Sequence, residues 1–308
     1  MHSLRNALAK SFRRLPPFRG KGRLGVAIGR PLVHADDDAD SIAKIVMRDG
    51  TLMRIDVRSR TEQWAYWTGE YDAQIISRLA ACLTESCTVF DVGANVGFYT
   101  IALGKKLSKL HGKLHAFEPV RSNFERLVDC VSLNALESTV FAHNIALGDE
   151  EGTIELHMES KGNASTGNAV MVKGKVRTEN NLMINSTAPI THLDSFVQEW
   201  GIDSCDLIKI DVEGAEVMFL RGGSNFLSKQ RPIIYGEFNP YWLTQFGHSF
   251  LDVASIVTPW DYRFFKQVGL ANFTEVMQPT EGLADMLLCP SETPKILLKN
   301  LGVIGDTK

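Results

Sequence analysis

One stretch of the chain decides the expected fold: Thr88-Val89-Phe90-Asp91-Val92-Gly93-Ala94-Asn95-Val96-Gly97. Residues 88–92 form a short apolar run of β-branched and aromatic side chains, which is typical of a strand buried on both faces. Glycines at positions 93 and 97 then interrupt the run just before a helical pattern begins at Phe98. The stretch therefore predicts a buried strand, a tight turn and a helix that starts close to a ligand.

The spacing of the glycines also indicates which ligand the turn binds. A dinucleotide fingerprint needs three glycines to seat a pyrophosphate at the helix N-terminus, and here Ala94 and Asn95 leave only two. Asp91 would repel a pyrophosphate but suits a ligand that carries an ammonium and a sulfonium. Glu118, expected at the tip of the next strand, can accept two hydrogen bonds from a ribose diol. We therefore expect S-adenosylmethionine, against the alternative of a glycine turn that binds no cofactor.

Length and composition indicate one large domain with an N-terminal extension. The chain has 308 residues, and the expected boundaries are a basic tail over 1–30, a hairpin and helix over 31–87, the cofactor-binding domain over 88–290 and a C-terminal tail over 291–308. No apolar run approaches the ~20 residues that span a bilayer, and no signal-peptide pattern is visible, which favours a cytoplasmic protein. The five scattered cysteines predict neither a disulfide framework nor a zinc site.

Residues 1–30 contain eight basic residues and no acidic residue. Leu4, Leu8, Phe12 and Leu15 fall at helical spacing among them, so a short helix could lie weakly on an anionic membrane surface. An organellar transit peptide has a similar composition, and a solvated tail is the third alternative. Nucleic-acid binding is not expected, because the charge balance turns acidic beyond residue 30 and no platform of basic and aromatic residues follows.

Strand and helix signals alternate along the chain, which predicts an α/β fold with a mostly parallel sheet. A hairpin is expected over 45–47 and 52–55, and a helix within 64–83 after Gly69. Another helix is expected over 122–134, with Ser122 as its cap. Residues 160–189, rich in Gly, Asn, Ser and Thr, are predicted to be a long loop, and we hypothesise that this loop is a substrate lid. Further strands are expected at 113–117, 140–146, 153–158, 207–210, 233–237, 262–268 and 285–289, and further helices at 98–110, 194–200, 216–220, 224–229 and 250–257.

A group of carboxylates follows the strand predicted over 207–210. Asp211, Glu213 and Glu216 would reach the same edge of the sheet as the cofactor turn. Carboxylates so close together can raise a pKa toward that of a general base, attract a cation, or hold the amino group of the cofactor. Glu216 could instead be a first-turn carboxylate that the helix dipole favours.

Five motifs in order, between about Gly69 and Cys289, resemble the FkbM-type methyltransferases. They begin at Asp91, Phe117, Asn144, Leu193 and Lys209. The resemblance implies a class I methyltransferase (Rossmann-like) fold, with a seven-stranded sheet, one antiparallel strand near its edge and helices on both faces. It also implies transfer of a methyl group from S-adenosylmethionine, usually to a hydroxyl of a sugar or polyketide-like natural product.

The same resemblance assigns roles by position in this sequence. It implies that the turn residues line the methionine part of the cofactor, that Glu118 binds the ribose, that two residues lie near the adenine, and that two carboxylates face the methyl-transfer centre. The turn residues are Asp91, Gly93, Asn95 and Gly97. The two residues near the adenine are Asn144 and Ala146, and the two carboxylates are Asp211 and Glu213.

Methyl transfer to a hydroxyl needs one base in a dry pocket. Asp211 is the first candidate for that base, followed by His192 and Glu237; His192 stands where the family more often has threonine, and a packing substitution is its alternative explanation. Asp211, Glu213 and Glu237 could together supply oxygen ligands to a divalent metal, but no ligand cluster at fixed spacing is present and a metal is not expected.

Two other functions stay open at this level. A nicotinamide-dependent oxidoreductase shares the sheet and the acidic ribose clamp, and a non-catalytic module could keep the cofactor turn without turnover. The expected partner is a small or sugar-containing acceptor, and the sequence gives no indication of the oligomeric state.

Overall fold

A central sheet organises the part of the chain that this computed structural model describes, which comprises residues 2–16, 18–29, 41–159, 169–171 and 183–305. The helices are α1 (His2–Arg14), α2 (Lys21–Gly29), α3 (Arg60–Thr68), α4 (Ala73–Ala80), α5 (Phe98–Ser108), α6 (Arg121–Leu133), α7 (Leu193–Trp200), α8 (Glu216–Gly222), α9 (Ser224–Gln230), α10 (Pro240–Gln245), α11 (Phe250–Val257) and α12 (Lys295–Asn300). The strands are β1 (Ile42–Val46), β2 (Leu52–Asp56), β3 (Thr88–Val92), β4 (Lys113–Phe117), β5 (Val140–His143), β6 (Ala146–Leu147), β7 (Gly152–Glu159), β8 (Ala169–Met171), β9 (Met183–Thr191), β10 (Leu207–Ile210), β11 (Ile233–Glu237), β12 (Tyr262–Val268), β13 (Asn272–Val276) and β14 (Asp285–Pro290).

The central sheet has eight strands in the order β13-β12-β14-β11-β10-β3-β4-β5. The five strands from β11 to β5 are mutually parallel, and β14 lies antiparallel between β11 and β12. The chain order reverses between β3 and β10, the place where ligands bind in open α/β sheets. In the register of these strands Val92 lies beside Phe117 on one side and Ile210 on the other, so their carboxyl ends meet at one edge.

Strand β3 forms because every one of its side chains is buried. Val89 belongs to the core layer on one face of the sheet, and Phe90 and Val92 belong to the layer on the other. This two-sided burial explains the unbroken apolar run in the sequence and confirms the predicted α/β class with helices on both faces.

The central sheet has eight strands, one more than the seven that were expected. Strand β13 pairs antiparallel with β12 and extends the sheet at its edge. A left-handed backbone at Gly269, with φ of 66°, lies in the connection between the two strands. The strand was missed because Thr274 and Glu275 leave it with little apolar periodicity, although Phe273 is buried.

Two helix predictions need correction. The helix expected within 64–83 after Gly69 corresponds to α4, which starts at Ala73, but the apolar pattern before Gly69 belongs to a separate helix, α3, which ends where Gly69 has a φ of 73°. The expected cap Ser122 lies inside α6, which follows Val120 and has no side-chain cap at its start.

A second sheet, in the order β6-β9-β7-β8, replaces part of the predicted loop over 160–189. Strand β9 pairs antiparallel with β7 and parallel with β6. Ala188 and Ile190 are buried and alternate with exposed Thr187 and Pro189, so this segment follows strand periodicity within a composition typical of loops. The rest of the predicted lid, residues 160–168 and 172–182, lies outside the described residues.

The basic N-terminus is folded against the domain, which contradicts the solvated-tail alternative for residues 2–16 and 18–29. Helices α1 and α2 pack on α3, and Arg5 and Lys21 are buried. A Cβ at Gly25 would lie 2.5 Å from the Cβ of Trp67, so only glycine lets α2 approach α3 this closely.

The expected C-terminal tail is likewise partly ordered, because Leu298 of α12 and Leu301 lie in the core. No described helix combines the length and the apolar character needed to cross a membrane.

Candidate functional site

Two adjoining cavities open at the carboxyl ends of the parallel strands. The inner cavity is lined by the turn after β3, the end of β4 and the segment after β10, and the outer cavity by the start of α4 and the ends of β10 and β11. Four residues line both cavities and so form the boundary between them: Tyr71, Tyr99, Lys209 and Asp211.

The turn after β3 requires glycine at two places for different reasons. Gly93 lines the inner cavity with φ of 77°, and a Cβ there would lie 1.9 Å from the carbonyl oxygen of Asp211. Gly97, with φ of 95°, precedes α5, and a Cβ there would lie 2.6 Å from Cδ1 of Leu127 in α6. Gly97 is absent from the lining of the inner cavity, so the sequence-based expectation that it makes room for a ligand needs correction: it makes room for a helix.

Asn95 is a residue of this turn with a buried polar atom that has no hydrogen-bond partner among the described residues. It has a left-handed backbone, with φ of 50°, and lines the inner cavity. Its Oδ1 is buried and accepts no hydrogen bond from the described residues. A buried acceptor without a donor is costly, and a ligand ammonium or hydroxyl would remove that cost.

Glu118 lies at the end of β4 and is almost fully buried in the wall of the inner cavity. Its Oε2 accepts the backbone N–H of Asn95 at 2.8 Å, and its Oε1 accepts that of Val120 at 2.9 Å. Burial raises the pKa of Glu118 to about 7, against these two hydrogen bonds, which lower it. The carboxyl group is thus fixed in orientation and keeps lone pairs for a ligand diol.

The two residues expected near the adenine take different positions. Ala146 lines the inner cavity together with apolar neighbours that include Phe117 and Leu156. Asn144 does not line it; its Nδ2 donates to the carbonyl oxygens of Glu118 and Pro119, each at 2.9 Å. Asn144 therefore holds the backbone that carries Glu118.

Lys209 is a buried cation at the boundary of the two cavities, and sequence reasoning missed it. Its Nζ donates to the carbonyl oxygen of Gly93 at 2.9 Å and lies 3.7 Å from Oδ2 of Asp211. Burial alone would lower the pKa of Lys209, but Asp91 and Asp211 outweigh it and raise the pKa. The available signal was a charged residue in the otherwise apolar strand β10.

Asp91 is fully buried in β3 and lines neither cavity, so the expected direct contact with a ligand needs correction. Its Oδ2 accepts the hydroxyl of Thr100 at 2.6 Å, and its Oδ1 lies 3.5 Å from Nζ of Lys209. Asp91 thus positions Lys209 and the first turn of α5 from below.

The carboxylates that follow β10 and β11 divide between the cavities. Glu213 lines the inner cavity with φ of 50°, and its pKa is raised to about 8 by burial and then by Asp211 and Glu237. Glu237 lines the outer cavity. Although Glu237 as a whole is exposed, partial burial of its carboxyl raises its pKa to about 7, with Asp211 and Asp285 adding to the effect. Glu216 is buried, and its Oε1 accepts the N–H groups of Val212 and Gly214, so its role is to hold the loop.

His192 lies away from these carboxylates. It precedes α7, where its Nδ1 is 3.5 Å from Oε1 of Glu151, and it lines neither cavity. The hypothesis that His192 is a catalytic base is therefore not supported, because β9 carries it to the second sheet and away from Asp211.

The outer cavity combines acidic and aromatic side chains. Asp72, Asp211, Glu237 and Asp285 contribute carboxyl groups, and Tyr71, Tyr235, Trp64 and Phe18 contribute rings. Burial raises the pKa of Asp72, which also accepts the hydroxyl of Tyr99 at 3.0 Å. Sequence reasoning did not predict Tyr71, Asp72 and Tyr99 as part of the site. Tyr71 and Asp72 lie in the break between α3 and α4, and Tyr99 lies inside α5.

The residues of the inner cavity fit S-adenosylmethionine by the chemistry of their donors and acceptors. Asp211, Glu213 and the free Oδ1 of Asn95 suit a sulfonium and an ammonium, and Glu118 suits a ribose diol. These carboxylates would repel a pyrophosphate. Lys209 would not offset the repulsion, because its ammonium group already pairs with Asp91 and Asp211. Within the described ranges, no group of three or more His, Cys, Asp or Glu side chains is arranged to hold a metal ion, and Asp211, Glu213 and Glu237 do not form one.

Comparison with known proteins gives one family. Residues 91–264, more than half of the chain, match the family model of the methyltransferase FkbM domain. The chain is also similar to the hexuronic acid methyltransferase AglP of Haloferax volcanii, with 26% identity over 185 residues that cover 60% of this chain and 70% of AglP.

A second similar protein is the methyltransferase sdnD of Sordaria araneosa, with 26% identity over 155 residues that cover 44% of this chain and 59% of sdnD. The crystal structure of the methyltransferase FkbM from Methylobacillus flagellatus KT aligns with a TM-score of 0.42 and 15% identity, over 67% of this chain and 44% of that one.

Proposed function

This chain belongs to the FkbM methyltransferase family, and we propose that it transfers a methyl group from S-adenosylmethionine to a hydroxyl of a sugar-containing or polyketide-like acceptor. One observation carries the proposal: Asp211 is the carboxylate that lines both cavities, between the expected cofactor on one side and an open acceptor site on the other. When bound, S-adenosylmethionine supplies an electrophilic methyl group attached to a positively charged sulfur.

The inner cavity would hold the cofactor through four kinds of contact. Glu118 accepts hydrogen bonds from the ribose, Oδ1 of Asn95 accepts one from the amino group, and Asp211 with Glu213 attracts the positive charges. Ala146 belongs to the apolar wall suited to the adenine. Gly93 leaves the space that a Cβ would fill.

Asp211 is our candidate for the group that receives the proton of the acceptor hydroxyl. A base must lie within reach of both the acceptor and the reacting carbon, and Asp211 borders both cavities whereas Glu237 borders only the outer one. Lys209, 3.7 Å away, holds the Asp211 carboxylate in place. Glu237 is the second candidate, because a pKa near neutrality suits a general base.

The outer cavity favours a neutral or amine-bearing acceptor with several hydroxyls. Its carboxyl groups can accept hydrogen bonds from hydroxyls, and Tyr71 and Trp64 offer ring faces on which a sugar can stack. The carboxyl groups outnumber the two basic residues of the lining, Arg19 and Lys209, and would repel an acceptor that carries a carboxylate. We therefore propose that this chain prefers neutral sugars to hexuronic acids. In this it would differ from AglP, which is named as a hexuronic acid methyltransferase.

A labelled methyl donor tests the proposal. The full chain is incubated with labelled S-adenosylmethionine and matched panels of neutral sugars, amino sugars, hexuronic acids and hydroxylated polyketides, and products are identified by mass spectrometry. With an accepted substrate, Asp211→Asn should lower kcat by about 10²-fold or more, while the exposed control Glu199→Gln should not change it.

Three outcomes would decide against parts of the proposal. Label on a nitrogen or a carboxylate instead of a hydroxyl would overturn the acceptor chemistry. Full activity of Asp211→Asn together with loss of activity in Glu237→Gln would move the base to Glu237. Absence of methyl transfer to every panel member and to a native extract would support a non-catalytic module.

A further inference from the structure

Helices α1 and α2, with residues 15, 18 and 19 between them, carry exposed apolar and basic side chains that the protein core does not use. We call this group the N-terminal surface and define it by six exposed apolar side chains and four exposed basic ones. The apolar members, each between 39% and 56% exposed, are Leu4, Leu8, Leu15, Phe18, Leu24 and Ile28. The basic members are Lys10, Arg14, Arg19 and Arg23.

The geometry of the two helices explains why these apolar side chains face outward. Both helices use their opposite sides to pack on α3, with Ala9 of α1 and the three glycines of α2 buried against the domain. Leu4 and Leu8 are four residues apart, as are Leu24 and Ile28, so each pair forms a line along its helix. The helices are therefore held in a fixed orientation that exposes a line of apolar side chains on each.

The charge of the N-terminal surface selects its partner. The first thirty residues carry eight basic side chains and no acidic one, whereas the whole chain has a net charge of −3, so the remainder is strongly acidic. Adjacent basic and apolar side chains on a helix surface suit an anionic lipid interface, where apolar side chains enter the acyl boundary and basic ones meet headgroups.

We propose that the N-terminal surface docks on an anionic membrane. Phe18 and Arg19, together with Trp64 of α3, also line the outer cavity. Docking would therefore bring the mouth of the acceptor site to the bilayer surface and favour acceptors presented there. This second statement rests on the proposed function, but membrane docking itself does not.

Vesicle flotation with the full chain tests the docking directly. Vesicles of phosphatidylcholine alone are compared with vesicles that contain one third phosphatidylglycerol, at low and at high salt. We expect binding to the anionic vesicles to be at least about tenfold stronger and to weaken as salt screens the basic side chains.

Two double variants and one control locate the contact. Leu24→Ser with Ile28→Ser should weaken binding about tenfold by removing apolar insertion, and Arg14→Gln with Arg23→Gln, which leaves Lys10 and Arg19, should reduce the preference for anionic lipid about tenfold. Ile296→Ser removes an even more exposed apolar side chain from α12 (66% exposed) and should have no effect. Thermal unfolding of each variant checks that it is folded.

Two results would overturn the proposal. The first is failure of the parent chain to bind anionic vesicles, or equal binding to both vesicle types. The second is sedimentation equilibrium that shows a dimer of the parent chain which Leu24→Ser with Ile28→Ser dissociates, without vesicle binding; the surface would then join two copies. Because no methyl donor is present, failure here leaves the proposed methyl transfer intact, and a failed transfer assay leaves the docking intact.

Discussion

Nζ of Lys209 lies 3.5 Å from Oδ1 of Asp91, and both side chains are almost completely buried near the boundary of the two cavities. Asp91 comes from β3 and Lys209 from β10, the neighbouring strands at which the chain order reverses. The same ammonium donates to the carbonyl oxygen of Gly93. One buried cation therefore ties the turn that carries Gly93 to the strand that delivers Asp211.

Lys209→Met should destabilise the protein by about 3–5 kcal/mol, because it leaves the Asp91 carboxylate buried without its counter-charge. The free energy of unfolding in urea measures this cost. Lys209→Met combined with Asp91→Asn should cost clearly less than the sum of the two single variants, since the double variant buries no unpaired charge. Additive costs would show that the two side chains do not interact.

Glu118→Ala should weaken binding of S-adenosylhomocysteine by about 1–3 kcal/mol, as expected for the loss of a buried hydrogen-bonding partner. Isothermal calorimetry measures the affinity. Glu125→Ala, which removes an exposed carboxylate that pairs with Arg121 on α6, is the matched control and should bind as the parent does. Unchanged affinity in Glu118→Ala would place the ribose elsewhere.

The raised pKa of Glu213 predicts a pH-dependent preference for the charged cofactor. Burial first, and then Asp211 and Glu237, raise this pKa to about 8, so the carboxyl is mostly neutral at about pH 6 and mostly ionised at about pH 9. S-adenosylmethionine should gain affinity relative to S-adenosylhomocysteine over that range, by up to about tenfold, because only the former carries a sulfonium. Both ligands have the same amino and carboxyl groups, so their affinity ratio isolates the sulfur. Glu213→Gln should reduce the pH dependence of the ratio, leaving the part that comes from Glu118 and Glu237. An unchanged pH dependence in that variant would assign the whole effect to other groups.

His115 and His143 predict loss of stability in mild acid. Their rings are buried and stacked in neighbouring strands, with Nδ1 of His115 3.1 Å from Nε2 of His143. Burial lowers the pKa of each to about 4 from 6.5. The unfolded chain therefore binds protons first, so the stability from the neutral pair is complete above about pH 6.5 and is lost as the pH falls toward 4.

Urea unfolding at about pH 8 and about pH 5 should show a loss of about 2 kcal/mol from each ring, or up to about 4 kcal/mol from the pair, added to the pH dependence of the other groups. His143→Phe should reduce the difference between the two pH values, and the exposed control His111→Asn should leave it unchanged. Equal pH dependence in His143→Phe and the parent chain would contradict the assignment.

Much of the fold was predictable because burial leaves periodic patterns in sequence. Strands β4, β10, β11 and β12 and helix α11 coincide with their predicted ranges, since each is a short apolar pattern bounded by clear polar or glycine residues. The errors arise where contacts between residues far apart in the sequence determine the secondary structure. Helix α3 is a separate helix that ends at Gly69, and β9 is a strand because β7 and β6 pair with it.

The candidate site was predictable where a residue borders a cavity at a strand end, as do Gly93, Glu118 and Asp211. Buried residues that support the site without contacting a ligand were not predicted correctly: Asp91 was expected to contact the cofactor, and Lys209 was missed. Asp91 and Lys209 form a buried pair whose existence depends on β3 lying beside β10, which no local pattern encodes. The same limit applies to Phe18, because only the packing of α1 and α2 on α3 brings it to the outer cavity.

The most direct test of the account is calorimetric titration of the full chain with S-adenosylhomocysteine and, separately, with NAD. The account predicts saturable binding of S-adenosylhomocysteine that Gly93→Val abolishes, because any Cβ at this position collides with the Asp211 carbonyl oxygen, and no heat from NAD. Saturable binding of NAD with no response to S-adenosylhomocysteine would contradict the proposed cofactor and, with it, methyl transfer.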